Sequence, residues 1–155
     1  MQTRNMHQLL DEIAAHHYPN PPATQARVEA FEAHSGWHLD EDLRAFYLRC
    51  DGATLFRPFP HEKFRILRLD EIRRARVELR GKDDDSMGAA SWWTLVYLGD
   101  SDFNLVDVAR PGGPHPILDA FHETYPRLVE VIAPSFRVWL ERTLQSENQL
   151  WWLPG

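Results

Sequence analysis

Residues 92–98, Trp-Trp-Thr-Leu-Val-Tyr-Leu, are nearly all apolar in both alternating sets, Trp92, Thr94, Val96 and Leu98 in one and Trp93, Leu95 and Tyr97 in the other. A strand with one wet face alternates apolar and polar residues, so a run of this kind must be covered on both sides. It is expected to be the central strand of a sheet. Gly99-Asp100-Ser101-Asp102 then makes a tight turn into a strand over 103–109, and Pro111-Gly112-Gly113-Pro114 turns again into a strand over 117–121. Upstream, residues 53–69 mix aromatics with a proline turn and end in Phe64-Arg65-Ile66-Leu67-Arg68-Leu69, which reads as another strand.

The covers are helical. Asn5 can cap a first helix, with Gln8 returning the bond and Met6, Leu9, Leu10, Ile13 and His17 on one face. Tyr18-Pro19 ends it, and Pro19, Pro21 and Pro22 make a stiff connector within the domain. A second helix is expected over 24–34, closed by Gly36. A third begins at Asp40, with Glu41 and Asp42 complementing the helix dipole, and Asp51-Gly52 stops it. Asp70 can cap a short helix to about residue 79, and residues 81–88 read as a solvated loop. The last helix is expected to start near Pro134, with Phe136, Trp139, Leu140, Thr143 and Leu144 on one face. Consecutive strands flanked by helices give an α+β class: a mixed or mostly antiparallel sheet with N-terminal helices and a C-terminal helix. At 155 residues, one domain spanning 1–155 is expected.

Charge narrows the function classes. The formal net charge is −6, the wrong sign for sequence-independent binding to nucleic acid. The 17 basic and 23 acidic residues divide as 12 and 12 over residues 1–80, and as 5 and 11 over 81–155. Between residues 83 and 107 there is neither lysine nor arginine, while Asp83, Asp84, Asp85, Asp100, Asp102 and Asp107 all fall there. The N-terminus lacks the apolar core of about 7–15 residues that a secretory signal needs, and no stretch approaches the ~20 apolar residues of a membrane span. A cytoplasmic protein with no membrane partner is expected.

Several elements in order resemble one family. Phe31-Glu32, Gly36 and Leu39 are followed by a helix ending in Asp51-Gly52, then by Trp93, Gly99-Asp100, Val106-Asp107 and Ile132-Ala133-Pro134-Ser135-Phe136. The chain in this way resembles the SUKH superfamily, which includes bacterial immunity proteins and fungal regulators of cell-wall glucan synthesis. The likeness covers about residues 24–146, leaving an extra N-terminal helix with its connector over 1–23 and a tryptophan-containing tail over 147–155. Asp40 stands where members commonly have proline and Asp51 where they have asparagine, and both keep a capping or turn role. The glycine-rich turn after Gly99-Asp100 is altered to Ser101-Asp102. The resemblance implies a non-catalytic protein that binds and neutralises a polymorphic toxin, often a nuclease; the alternatives are a regulatory scaffold and an enzyme of unknown chemistry.

The six aspartates form the expected partner surface, because a toxin that holds phosphates must be basic. No catalytic, cofactor or metal residue is expected. His115, His122 and Glu123 lack metal-ligand spacing, and neither His-Glu-x-x-His nor paired Cys-x-x-Cys occurs. His16 and His17 suit a helix C-terminus as imidazolium ions. Asp119, His122 and Glu123 would support acid-base chemistry only if they converged on a pocket. Cys50 reads as a small buried side chain. Arg65, Arg68, Arg73, Arg74, Arg76 and Arg80, interrupted by Asp70, Glu71 and Glu78, read as a salt-bridged surface. Trp151 and Trp152 are expected to pack on the body, or else to anchor a homodimer.

Overall fold

A computed structural model describes residues 3–56 and 63–154. Seven strands form one antiparallel sheet in strict sequence order: β1 (Tyr18–Pro19), β2 (Ala53–Leu55), β3 (Phe64–Ile66), β4 (Trp92–Gly99), β5 (Asp102–Asp107), β6 (Ile117–Ala120) and β7 (Glu130–Ala133). With five α-helices among the described residues, α1 (Met6–His16), α2 (Gln25–Ser35), α3 (Glu41–Arg49), α4 (Ala75–Arg80) and α5 (Phe136–Leu144), the fold is α+β. The doubly apolar run is β4, fourth of seven, and Trp93, Thr94, Leu95 and Val96 are buried. No helix among the described residues is long and apolar enough to cross a membrane.

The helix starts follow the caps in the sequence. Asn5 and Gln8 form the reciprocal capping box of α1, Thr24 caps α2, Asp40 caps α3 and Ser135 caps α5. Pro134 therefore precedes the last cap instead of lying in the first turn. At the end of α2, Gly36 has φ 77°, the left-handed conformation that costs glycine least. Buried Glu32 reaches back to accept from the Leu39 amide at 2.8 Å and from Arg44 Nη2 at 2.7 Å, fixing the turn between α2 and α3. Gly52 has a different requirement: at φ 86° a Cβ there would lie 2.7 Å from the Ile66 carbonyl oxygen, so β2 could not approach β3.

Three segments depart from the sequence reading. Tyr18-Pro19 does end α1, but it also pairs with Ala53 and Thr54 as an edge strand, a place where proline is tolerated. Residues 70–79 are not one helix. A 3-10 turn at Leu69–Glu71 comes first, and Thr94 Oγ1 then accepts from the Arg73 amide at 3.1 Å and donates to its carbonyl at 3.2 Å. The sheet thus takes backbone groups that a helix would have used, and α4 starts only at Ala75. β7 was not expected, since Val131 on this edge is 65% exposed and carries no burial signal. The proline turn expected within 53–69 lies in residues 57–62, outside the described residues.

The core between helices and sheet is aromatic. Phe46 meets Phe136 edge-on at 5.3 Å, Phe136 stacks on Trp139 at 5.7 Å, and Phe64 meets Trp139 at 6.1 Å. Tyr47, fully buried, donates its hydroxyl to the Leu67 carbonyl at 2.6 Å. Asp40 couples distant parts of the chain: one oxygen accepts from the Leu43 amide at 2.9 Å as the cap, and the other from the buried His115 amide at 3.1 Å. Asp40→Ala removes both bonds and is expected to cost about 2–3 kcal/mol in urea denaturation. Asp40→Asn keeps one acceptor and is expected to lose less than half of that.

Candidate functional site

A cleft of about 940 Å³ opens where the β4–β5 turn, the end of β6 and the C-terminal tail meet. Asp100, Asp102 and Asp119 line it together with Phe121, Leu150, Trp152 and Leu153, and Lys63 is the cation in its lining among the described residues. Phe121 and Leu153 are 42% and 49% exposed, so two large apolar side chains stand beside the carboxylates at the same opening. The turn is strained: Asp100 and Ser101 have φ 51° and 67° between the paired residues Gly99 and Asp102. A two-residue hairpin turn needs positive φ at both central positions and favours Asn-Gly, so Asp-Ser adopts it at a cost.

Behind the cleft lies a chain of hydrogen bonds. Trp139 Nε1 on α5 donates to Asn104 Oδ1 on β5 at 2.8 Å. An indole can only donate, so this bond fixes the Asn104 amide with its nitrogen turned the other way. That nitrogen donates to Asp119 Oδ1 on β6 at 3.2 Å. The Trp152 indole lies on the same side of the cleft and favours the charged form of that carboxyl group. Burial, with Asp102 and Glu130 nearby, outweighs these effects and raises Asp119 from the ordinary 3.8 to about 6. Asp102 itself accepts from the His122 amide at 2.9 Å and lies 2.7 Å from His122 Nδ1, which holds the 121–122 segment on the hairpin.

The six expected aspartates do not form one face. Asp100 and Asp102 are at the cleft, whereas Asp107 ends the same strand five residues on, roughly 17 Å away at ~3.3 Å per residue. Asp107 accepts from Ser91 Oγ at 2.9 Å and from the Ala109 amide at 3.0 Å. Nor are Asp83 and Asp85 uncompensated: Arg76, buried on α4, holds each at 2.7 Å, and Arg74 adds a contact to Asp83 at 3.4 Å. Asp84 caps a 3-10 turn through Ser86. The counter-charges lie before residue 81, so a count within the interval misses them. Asp119, Phe121 and Trp152 complete the cleft. Asp119 falls within the strand expected over 117–121, whose alternation does not reveal which side chain ends beside a cleft.

Other residues behave in ways their types suggest. Cys50 is buried, and burial pushes its thiol up to about 12, far from thiolate chemistry at neutral pH. His17 does not carry the imidazolium expected at the end of α1: its Nδ1 accepts from the Phe56 amide at 3.0 Å, and burial lowers its pKa. No group of three or more metal-binding side chains occurs among the described residues. Asp119 lines the cleft, but Glu123 is exposed and neither it nor His122 is in the lining. The arginine run is bound locally, Arg65 with both oxygens of Glu71 and Arg80 with the carbonyls of His122 and Tyr125. Both tail tryptophans pack on the body: Trp151 Nε1 donates to Thr143 Oγ1 at 2.9 Å, and the Trp152 ring meets Phe64 at 6.1 Å.

Residues 22–142 match the sequence model of the SMI1 / KNR4 family (SUKH-1). Comparison with curated proteins gives no match.

Three outcomes follow from this geometry. A carboxyl group that titrates higher in the fold than in the unfolded chain binds more protons when native, so its contribution to stability is lost as pH rises from about 4 to about 6. Asp119→Asn escapes that loss and is expected to be more stable than the parent by about 1–2 kcal/mol at pH 7, with no gain at pH 4, allowing for partial solvent exposure. Ser101→Gly relieves the hairpin turn and is expected to add about 1 kcal/mol in thermal denaturation. Arg76→Ala frees the 83–88 loop, and amide hydrogen exchange there is expected to accelerate while exchange in β4 and β5 stays slow.

Proposed function

The chain belongs to the SMI1 / KNR4 family (SUKH-1), and from that premise we propose that it is a non-catalytic immunity protein that binds and neutralises a cognate toxin in the cytoplasm of the producing cell. The observation that carries this reading is the cleft, where Asp100, Asp102 and Asp119 face outward beside Phe121, Trp152 and Leu153. Protein interfaces concentrate binding energy in a few aromatic anchors surrounded by polar groups that set specificity. Here the anchors lie next to three carboxylates, and one lysine accompanies them. The surface complementary to that arrangement is apolar at its centre and basic around it. A nuclease toxin presents such a surface where it holds phosphates, and covering it would exclude the nucleic acid.

The aspartates at the other end of β5 have a lesser part in this proposal. Asp83 and Asp85 already neutralise Arg76, and Asp107 closes a local turn. Their charge contributes to long-range steering of a basic partner and not to the contact itself. A regulatory scaffold could use the same cleft, so the activity of a toxin is what separates the two readings.

The test is co-expression with the product of the adjacent gene. Protection of the host and a stable complex are expected, and Asp100→Asn combined with Phe121→Ala is expected to weaken the complex about thirtyfold or more without unfolding the chain. Full protection by that double variant would remove the cleft from the interface, and failure of the parent chain to protect would remove the immunity reading.

A further inference from the structure

The geometry points to a second binding site, a pocket between the end of α2 and the turn after β5 that takes a small organic carboxylate with an apolar body. The pocket holds about 490 Å³, and Trp37, Trp93, Val108 and Pro111 line it together with Arg74 and His115. It shares no lining residue with the acidic cleft, so it stands independently of the immunity reading.

Two buried rings in this lining lack polar partners. Trp37 is 4% exposed and His115 1%, and neither the indole Nε1 nor either imidazole nitrogen meets a hydrogen-bonding group among the described residues. Their backbones are held: the Trp37 amide donates to Ser35 Oγ at 3.1 Å, and the His115 amide to Asp40 Oδ2 at 3.1 Å. The Trp37 ring packs 5.3 Å from Phe31 and 5.7 Å from Trp93, with the His115 ring 6.4 Å away. Elsewhere the chain pairs its buried indoles, Trp139 with Asn104 and Trp151 with Thr143. An unpaired buried N–H is costly, and folded proteins keep few of them. In the wall of a pocket, the acceptor that these rings lack is one a ligand can bring.

Charge selects the ligand. An indole only donates, and an imidazole has an N–H in either protonation state, so an acceptor is called for. The chain carries net charge −6, yet no aspartate or glutamate is among the described residues of this lining. Arg74 lies over the Trp93 ring at 4.9 Å, and its carboxylate contact, Asp83 at 3.4 Å, is held more closely by Arg76 at 2.7 Å. A neighbouring groove shares Arg74 and Trp93 and adds Arg27 and Arg73 against Asp70, which keeps the approach positive. A carboxylate offers about four lone-pair sites, enough for the indole, the imidazole and Arg74 together. The apolar walls suit a hydrocarbon body, and the volume lies within the ~300–1,000 Å³ of small-molecule sites. The three ring nitrogens are themselves covered, so entry requires a wall to yield. That wall is the exposed Pro111-Gly112 turn, where a Cβ on Gly112 would meet nothing within 4 Å.

The experiment is proton–nitrogen NMR of the full chain titrated with phenylacetate, with phenylacetamide and acetate as comparisons. The Trp37 indole N–H and the His115 ring signals are expected to move with phenylacetate at a Kd of about 1 mM or below, and at least about tenfold more weakly with the neutral amide or with acetate. Trp37→Phe keeps an apolar ring and removes the donor, and Arg74→Gln changes an exposed charge; each is expected to weaken binding about fivefold or more, read from the His115 signals. Equal affinity for phenylacetamide would overturn the carboxylate, and full affinity in both variants would overturn the assigned donors. Trp37 and His115 signals that stay fixed to about 20 mM phenylacetate, or movement of the Trp152 indole in their place, would overturn the site. None of these results bears on protection in co-expression, so the two readings fail separately.

Discussion

The hydrogen bond between Trp139 and Asn104 is the contact on which the candidate site depends. It is buried at both ends and joins the last helix to the strand beside the central one. Breaking it would leave an amide and an indole unpaired in the core, a cost of about 1–3 kcal/mol for each orphaned group. Its larger effect is directional. By holding the Asn104 oxygen toward α5 it commits the amide nitrogen to Asp119, and so helps to position a carboxyl group at the cleft from a contact inside the core.

Three buried carboxylates within the family-like stretch act in the same manner, as fasteners of backbone. Glu32 holds the Leu39 amide, Asp40 the Leu43 and His115 amides, and Asp51 accepts from the Leu69 amide at 2.9 Å while meeting Arg27 at 3.0 Å. Each is a buried carboxylate whose oxygens are used by the chain itself. They define the scaffold, and the cleft lies at the hairpin turn and the tail, where the chain departs from the family pattern.

Much of the scaffold was legible because its signals are local. The capping box of α1, the cap Asp40, Gly36 and the doubly apolar β4 can each be read within about ten residues, whereas the cap of α5, Ser135, lies one residue past the expected start at Pro134. What escaped depended on partners far along the chain. Thr94 breaks the expected helix at Arg73 from 21 residues away, and Arg76 neutralises aspartates that a linear count leaves unpaired. The cleft joins Lys63 and residues 98–102, 119–121 and 150–153, four places with no common motif, so only Asp100 and Asp102 of its acids were singled out as site residues. Asp119 is placed in the cleft by sheet register, through its pairing with Asn104 and Glu130.

The central claim is that the partner covers this cleft. Hydrogen-deuterium exchange of the chain, free and in complex with the proposed toxin partner, tests it most directly. Slowed exchange is expected in residues 98–102, 119–122 and 150–153, with the 83–88 loop unchanged. Protection confined to the surface between α2 and α4, where Arg27, Phe31, Arg73 and Trp93 line a separate groove, would contradict the account.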